Sequence, residues 1–177
     1  MATIDEFKSN LRGGGARANQ FKVIFPTNVV GIPRTSEFLC KAAALPGQTV
    51  TEIAVPFRGR NLYVAGDREF ETWDSTFIND TPFDIRNAME NWLNILNNLE
   101  TNASANPDVA SYTSNVTIRQ LGRDDQILKT YTLINCMPTV VAPIDLSMDT
   151  ASAIEEFSVT WRYTHFRTSG VNGQGFE

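Results

Sequence analysis

Hydrophobic and polar positions alternate with a period of two through much of this chain, the spacing of strands whose side chains point to opposite faces. Phe21, Lys22, Val23, Ile24 and Phe25 begin a first strand that Pro26 stops. A second is expected over 37–41, before Leu45, Pro46 and Gly47 turn the chain, and a third over 48–55. Residues 56–67 are rich in arginine, glycine and aromatic groups and predict a loop or irregular hairpin feeding a strand over 69–78. Residues 116–119 and 127–133 flank Gly122, Arg123, Asp124 and Asp125 as a further hairpin. Pro138 and Pro143 bracket another extended piece. In the last strand Phe157, Val159, Trp161 and Tyr163 alternate with Ser158, Thr160, Arg162 and Thr164, leaving one apolar face.

One stretch has the helical period instead. Asp80 or Thr81 can cap it, Pro82 suits its first turn, and Ile85, Met89, Trp92, Leu96 and Leu99 recur at steps of three and four. Nothing polar converges on that stripe, so it is expected to pack against a sheet rather than to hold a cofactor. A short helical turn over 4–11 precedes Gly13, Gly14 and Gly15, which predicts a mobile arm over 1–18. The polar, glycine-rich segment 168–177 predicts a disordered tail unless a partner holds it. About eight strands and one helix are left for the domain over 19–167.

Composition narrows the function classes. A chain of 177 residues with 42% hydrophobic content fits one domain. The formal net charge of -5 argues against a tight, sequence-reading grip on duplex DNA, although transient contact stays open. No apolar run approaches the ~20 residues that cross a bilayer, and Met1 to Glu6 lacks the charged-then-apolar order of a signal peptide, so a cytosolic origin is expected. Without a secretory route, the glycosylation-like tripeptides at 79, 102 and 115 carry no weight. Cys40 and Cys136 stand far apart with no cysteine or histidine cluster, which predicts reduced, buried thiols and neither a zinc site nor a disulfide framework.

Catalytic patterns are lacking. The single histidine, His165, ends an alternating strand with no nucleophile or carboxylate at a recognisable spacing. Asp124 and Asp125 occupy a hairpin tip with no desolvation, and Glu155 and Glu156 point to opposite faces of a strand. The glycine triplet lacks the lysine and hydroxyl of a phosphate loop, and Gly66, Asp67 and Arg68 are too short to specify a nucleotide. No enzyme, metal or cofactor is expected.

Several segments, taken together and in order, resemble the tail tube protein of phages with contractile, T4-type tails. They are Ala16-Arg17-Ala18-Asn19-Gln20-Phe21, residues 38–47 (Phe38-Leu39-Cys40-Lys41-Ala42-Ala43-Ala44-Leu45-Pro46-Gly47), and Val55-Pro56-Phe57-Arg58-Gly59-Arg60. The most specific is Val64-Ala65-Gly66-Asp67-Arg68-Glu69-Phe70-Glu71-Thr72-Trp73. Asn79-Asp80, the helix with Asp84, Arg86 and Trp92, and residues 154–161 (Ile154-Glu155-Glu156-Phe157-Ser158-Val159-Thr160-Trp161) follow. The likeness spans about residues 15–163 and excludes 28–34 and the stretch after Phe166.

The resemblance implies a mainly β domain, a sandwich or partial barrel of about eight strands with one flanking helix, whose copies complete a continuous inner barrel in hexameric rings. Such rings stack into the inner tube of a contractile tail, a virion conduit for genome delivery assembled in the host cytoplasm. Implied partners are the sheath, baseplate tube-initiation proteins, a tape measure protein, a terminator, and double-stranded DNA in non-specific passage, with no membrane anchor. Within that picture Arg58, Arg60, Asp67 and Arg68 supply both charge signs for contacts between subunits and rings, with Phe57 and Tyr63 as apolar anchors. Arginines outnumber lysines eleven to four among the 15 basic residues, which suits interface pairing. Polar positions Thr49, Thr51, Glu52, Thr117 and Arg119 are expected to face the lumen, whose wall should be hydrated and poor in cations so that a duplex does not adhere. Alternatives are the tube of a type VI secretion or contractile injection particle, and a monomeric small-ligand β-barrel.

Overall fold

The computed structural model describes residues 3–11, 15–29, 31–104, 108–149 and 151–169. It is mostly β, antiparallel throughout, in agreement with the expected class. Among the described residues nine strands and four helical segments replace the eight and one anticipated.

Helix α1 (Ile4–Asn10) closes on itself through a capping box: the Thr3 hydroxyl accepts from the Glu6 amide, and the Glu6 carboxylate accepts from the Thr3 amide. Gly13 and Gly14 of the expected arm lie outside the described residues. β1 (Phe21–Ile24) alternates as anticipated around buried Val23. The second strand starts later than expected. The Ser36, Glu37 and Phe38 amides donate to the carbonyls of Pro33, Arg34 and Thr35, so Pro33, with its preset φ, opens a helical turn, α2 (Ser36–Leu39), before β2 (Cys40–Ala43).

β3 (Thr49–Phe57) and β4 (Arg60–Glu69) form a separate two-stranded sheet. The strand expected over 69–78 is therefore two: β4 ends at Glu69 and β5 (Trp73–Ile78) begins after a break at 70–72. Helix α3 (Asp84–Leu96) starts beyond the proposed caps, since Asp80 and Pro82 belong to a turn closed by the Phe83 amide on the Asp80 carbonyl. It buries Ile85, Ala88, Met89 and Trp92, but Leu99 lies past its end and is 92% exposed. Asparagine chemistry stops the helix there: Asn94 Oδ1 accepts from the Leu99 amide, and Asn98 Oδ1 from those of Glu100 and Thr101. A short turn, α4 (Val109–Tyr112), follows α3 in the chain.

β6 (Ser114–Leu121) and β7 (Ile127–Val141) make the anticipated hairpin, but β7 is one 15-residue strand running through Pro138. Pro138 is buried at a register shift, where the ladder does not need its missing amide. The first part of β7 pairs with β6 and with β9 (His165–Thr168); the second pairs with β8 (Glu156–Arg162), which continues to β5 and β2. Asn135, at φ 51, marks the passage between the two halves. β9 was not anticipated; Thr168 and Ser169, assigned to the tail, are ordered against β7, and residues 170–177 lie outside the described residues.

Between the halves lies an aromatic core. Trp161 stacks on Phe25 at 5.6 Å and meets Trp92 edge-on at 5.6 Å and Trp73 at 6.1 Å. Each indole N–H finds an acceptor, Trp73 at the Ala44 carbonyl, Trp92 at the Tyr112 carbonyl and Trp161 at Ser75 Oγ, so no tryptophan costs an unpaired donor. Both cysteines are buried and unbridged, as anticipated.

Candidate assembly interface

The β3–β4 ribbon is a regular hairpin and longer than the loop or irregular hairpin expected over 56–67. Its two-residue turn is Arg58 (φ 46) and Gly59 (φ 79), both left-handed, the conformation whose twist suits adjoining strands. Pro56 pairs with Asn61 next to the turn and is tolerated because a two-stranded sheet consists only of edges. At the root the register slips between Val50 and Glu52, and the Thr51 hydroxyl donates to the Asp67 carbonyl at 3.0 Å. Gly66 faces this bulge so closely that a Cβ would lie 2.6 Å from Thr51 Oγ1, which explains the glycine.

Alternation gives the ribbon two unlike faces. Ile53, Val55, Phe57, Leu62 and Val64 share one, through the pairs Ile53 with Val64, Val55 with Leu62 and Phe57 with Arg60. The other carries Glu52, Ala54, Pro56, Asn61, Tyr63 and Ala65. The apolar face is uncovered, with Phe57 67% and Leu62 64% exposed. An isolated two-stranded hairpin is marginally stable in water, and a contiguous apolar patch of this kind marks an association surface.

The structure separates the residues assigned to inter-subunit contact. Arg58 and Arg60 are at the tip, with the Arg58 guanidinium 5.3 Å from the Phe57 ring. Asp67 and Arg68 are at the root, about 25 Å away at ~3.3 Å per residue. There Arg68 Nη1 donates to Gln48 Oε1 at 3.3 Å. Phe57 and Tyr63 occupy opposite faces. Among the described residues no ion pair involves Arg58, Arg60, Asp67 or Arg68. Ile53, Val55, Leu62 and Val64 were overlooked, although the alternation of 53–57 and 62–64 is visible in the sequence.

The residues assigned to the lumen also divide. Thr49, Thr51 and Glu52 lie at the ribbon root, whereas Thr117 and Arg119 lie on β6, on the side opposite buried Val116 and Ile118. A second candidate assembly feature is the open edges: among the described residues β1 is paired only by β6, β9 only by β7 and β2 only by β5.

Groups with catalytic potential are in structural use. Glu155 accepts from Asn79 Nδ2 at 2.8 Å, and Glu156 pairs with Lys41 at 2.6 Å. Burial pushes the Cys40 thiol up to about 12 and raises that of Cys136 further, which keeps both protonated and unreactive. Burial also raises the Tyr163 hydroxyl. No metal-binding cluster occurs among the described residues.

An antiparallel sandwich with one flanking helix, open strand edges and a projecting, partly apolar ribbon defines a class of protein that completes itself by association. The phage tail tube protein family model matches residues 16–169, and the chain belongs to that family. The tail tube protein of Serratia phage KSP90 is 35% identical over 170 residues, covering 92% of this chain and 95% of that protein. Tail tube protein gp19 of Enterobacteria phage T4 is 33% identical over 149 residues, covering 84% and 88%. The fold is also similar to a chain of the sheath-tube complex of an extracellular contractile injection system in its extended state (TM-score 0.56, 13% identity, 97% of this chain and 100% of that one).

Proposed function

We propose that this protein is a structural virion component without catalytic activity, whose hexameric rings stack into the inner tube of a contractile phage tail and conduct the genome to the host. The observation that carries this reading is the ribbon, nineteen residues from Thr49 to Glu69 less the turn, whose apolar face nothing among the described residues covers. In the assembly that face is buried on a neighbouring copy. β9 of one subunit pairs with β1 of the next, so each copy adds β1, β6, β7 and β9 to a closed inner barrel and the exposed edges disappear. Thr117 and Arg119 then belong to the lumen wall, with Thr49, Thr51 and Glu52 at its rim where rings meet. Arg58 and Arg60 at the ribbon tip, and Asp67 and Arg68 at its root, pair with charges on adjacent subunits. The sheath, baseplate tube-initiation proteins, a tape measure protein and a terminator are the partners in this reading. Many weak contacts repeated by symmetry supply the stiffness that the sheath needs to drive the tube.

Size-exclusion chromatography followed by negative-stain microscopy tests the reading. Rings and tubes are expected at high concentration or on a tail-base nucleus; a persistent monomer under both conditions overturns it. Arg58→Ala with Arg68→Ala is expected to leave a folded subunit that forms fewer or shorter tubes, and unchanged tube length and yield would remove these arginines from the interface.

A further inference from the structure

We propose that the face of the β1, β6, β7 and β9 sheet turned away from the core contacts the phosphate backbone of duplex nucleic acid through Lys22, Arg119 and Arg167. The inference rests on the reading that this sheet lines the tube, and it adds a binding role to a wall expected to be inert.

Charge on this acidic protein is segregated. The four strands contain Lys22, Arg119, Lys129 and Arg167 and not one aspartate or glutamate, in a chain whose formal net charge is -5. Alternation sorts the cations. Val23, Val116, Ile118 and Leu133 are buried, so Lys22, Thr117, Arg119, Thr130 and Thr132 take the opposite face. Arg167 joins them, since it pairs with Thr132, which pairs with Thr117. Lys129 falls in the core-side row and places its ammonium 5.2 Å from the Tyr131 ring.

The side chains on this face are largely uncommitted. Lys22 pairs with Glu37 of α2 at 2.7 Å, whereas among the described residues neither Arg119 nor Arg167 takes part in an ion pair. Arg119 Nε is buried without a hydrogen-bond partner, on a residue in register with Lys22 of β1 and Thr130 of β7. Arg119 and Arg167 stand two strands apart, about 10 Å across the sheet. The opposite sheet offers a contrast: on its outer face Lys41 is neutralised by Glu156, and Asp74 accepts from Thr160 at 2.6 Å.

The chemistry selects a phosphate backbone over an acidic protein. Arginine, lysine and threonine hydroxyls are the groups that hold phosphate oxygens without reading sequence. A stable protein interface needs an apolar centre, and on this face the apolar side chains Ile24, Leu128 and Ile134 are dispersed among cations and hydroxyls. Contact of this kind releases counterions, so it holds the duplex at low salt and lets it slide as ionic strength rises.

The test is binding of a short fluorescein-labelled duplex of mixed sequence, by co-sedimentation with assembled tubes and by anisotropy with unassembled chain, across a salt series. R119Q/R167Q is the variant, R34Q/R162Q, two exposed arginines off this face, the control, and thermal denaturation verifies folding. Loss of both arginines is expected to weaken low-salt binding by about tenfold or more and to flatten the slope of log K against log salt by about 0.9 per phosphate contact removed. Binding and slope unchanged in R119Q/R167Q, or lost instead in R34Q/R162Q, would overturn the proposal. So would tighter binding of polyglutamate than of duplex, which would make the face a site for an acidic protein. Microscopy of the same samples separates the two readings. Normal R119Q/R167Q tubes with undiminished binding reject this inference alone. Failure of the natural chain to assemble rejects the tube, and the anisotropy still reports whether the face binds.

Discussion

Two hairpins in this molecule obey the same local rule and end differently. In β6–β7, alternation puts Val116, Ile118 and Leu133 into a core closed by tryptophans, and the opposite rows stay polar. In β3–β4, alternation is as regular, with Ile53, Val55 and Phe57 facing Val64, Leu62 and Arg60, yet none of these side chains is buried. The difference is what lies above each face. The buried face of β6–β7 packs into one cluster with the β5–β8 half of the same seven-stranded sheet and with α3, whereas among the described residues the ribbon pairs only with itself. One hairpin therefore belongs to the core of the subunit, and the other carries the candidate association surface.

That division can be broken first in the body. Trp161 is fully buried against Trp73, Trp92 and Phe25, so Trp161→Ala is expected to cost about 3–5 kcal/mol and to lower the denaturation midpoint sharply. A small shift would mean that the core does not hold the fold. In the ribbon the same kind of truncation should do the reverse. Val55→Ser with Leu62→Ser is expected to change subunit stability by about 0.5 kcal/mol or less, as for exposed positions, while tube formation seen by microscopy is lost. Destabilisation comparable to that of Trp161→Ala would show that the ribbon face is covered within the subunit.

A smaller effect concerns the body alone. Burial holds the Cys40 thiol up to about 12 against an ordinary 9.0. Below about pH 9 both folded and unfolded thiols are protonated and stability is complete. Above it the unfolded chain loses protons that the folded chain keeps, so stability falls as pH rises toward about 12. Melting across that range should show a decline that Cys40→Ala makes shallower; equal slopes would place the alkaline sensitivity elsewhere.

Much of the body was legible. Val23, Val116 and Ile118 announce their strands by alternation, and Ile85, Met89 and Trp92 announce a helix by recurrence. The departures have local causes that compete with periodicity. Asparagine side chains capture backbone amides and end α3 before Leu99, and Pro33 winds a turn where a strand was expected. Pro138, read as a boundary, sits inside β7 at a bulge where no amide is needed. The candidate interface stood out in the sequence as a region and not as a surface. The arginines stood out by composition, whereas the apolar face emerges only once the register pairs Val55 with Leu62.

By itself the amino-acid order marked several of the strands by alternation, the long helix by recurrence and, through a succession of spaced motifs, the family. Those properties depend on neighbours within a few residues and on side-chain size. Tertiary structure alone decided that β7 serves both halves of the sandwich, that residues 165–168 add a ninth strand, and that one alternating hairpin is covered and the other is not. Period two says that a strand has two faces; what covers each face is chosen by segments distant in the chain, and for the β3–β4 ribbon no such segment exists among the described residues.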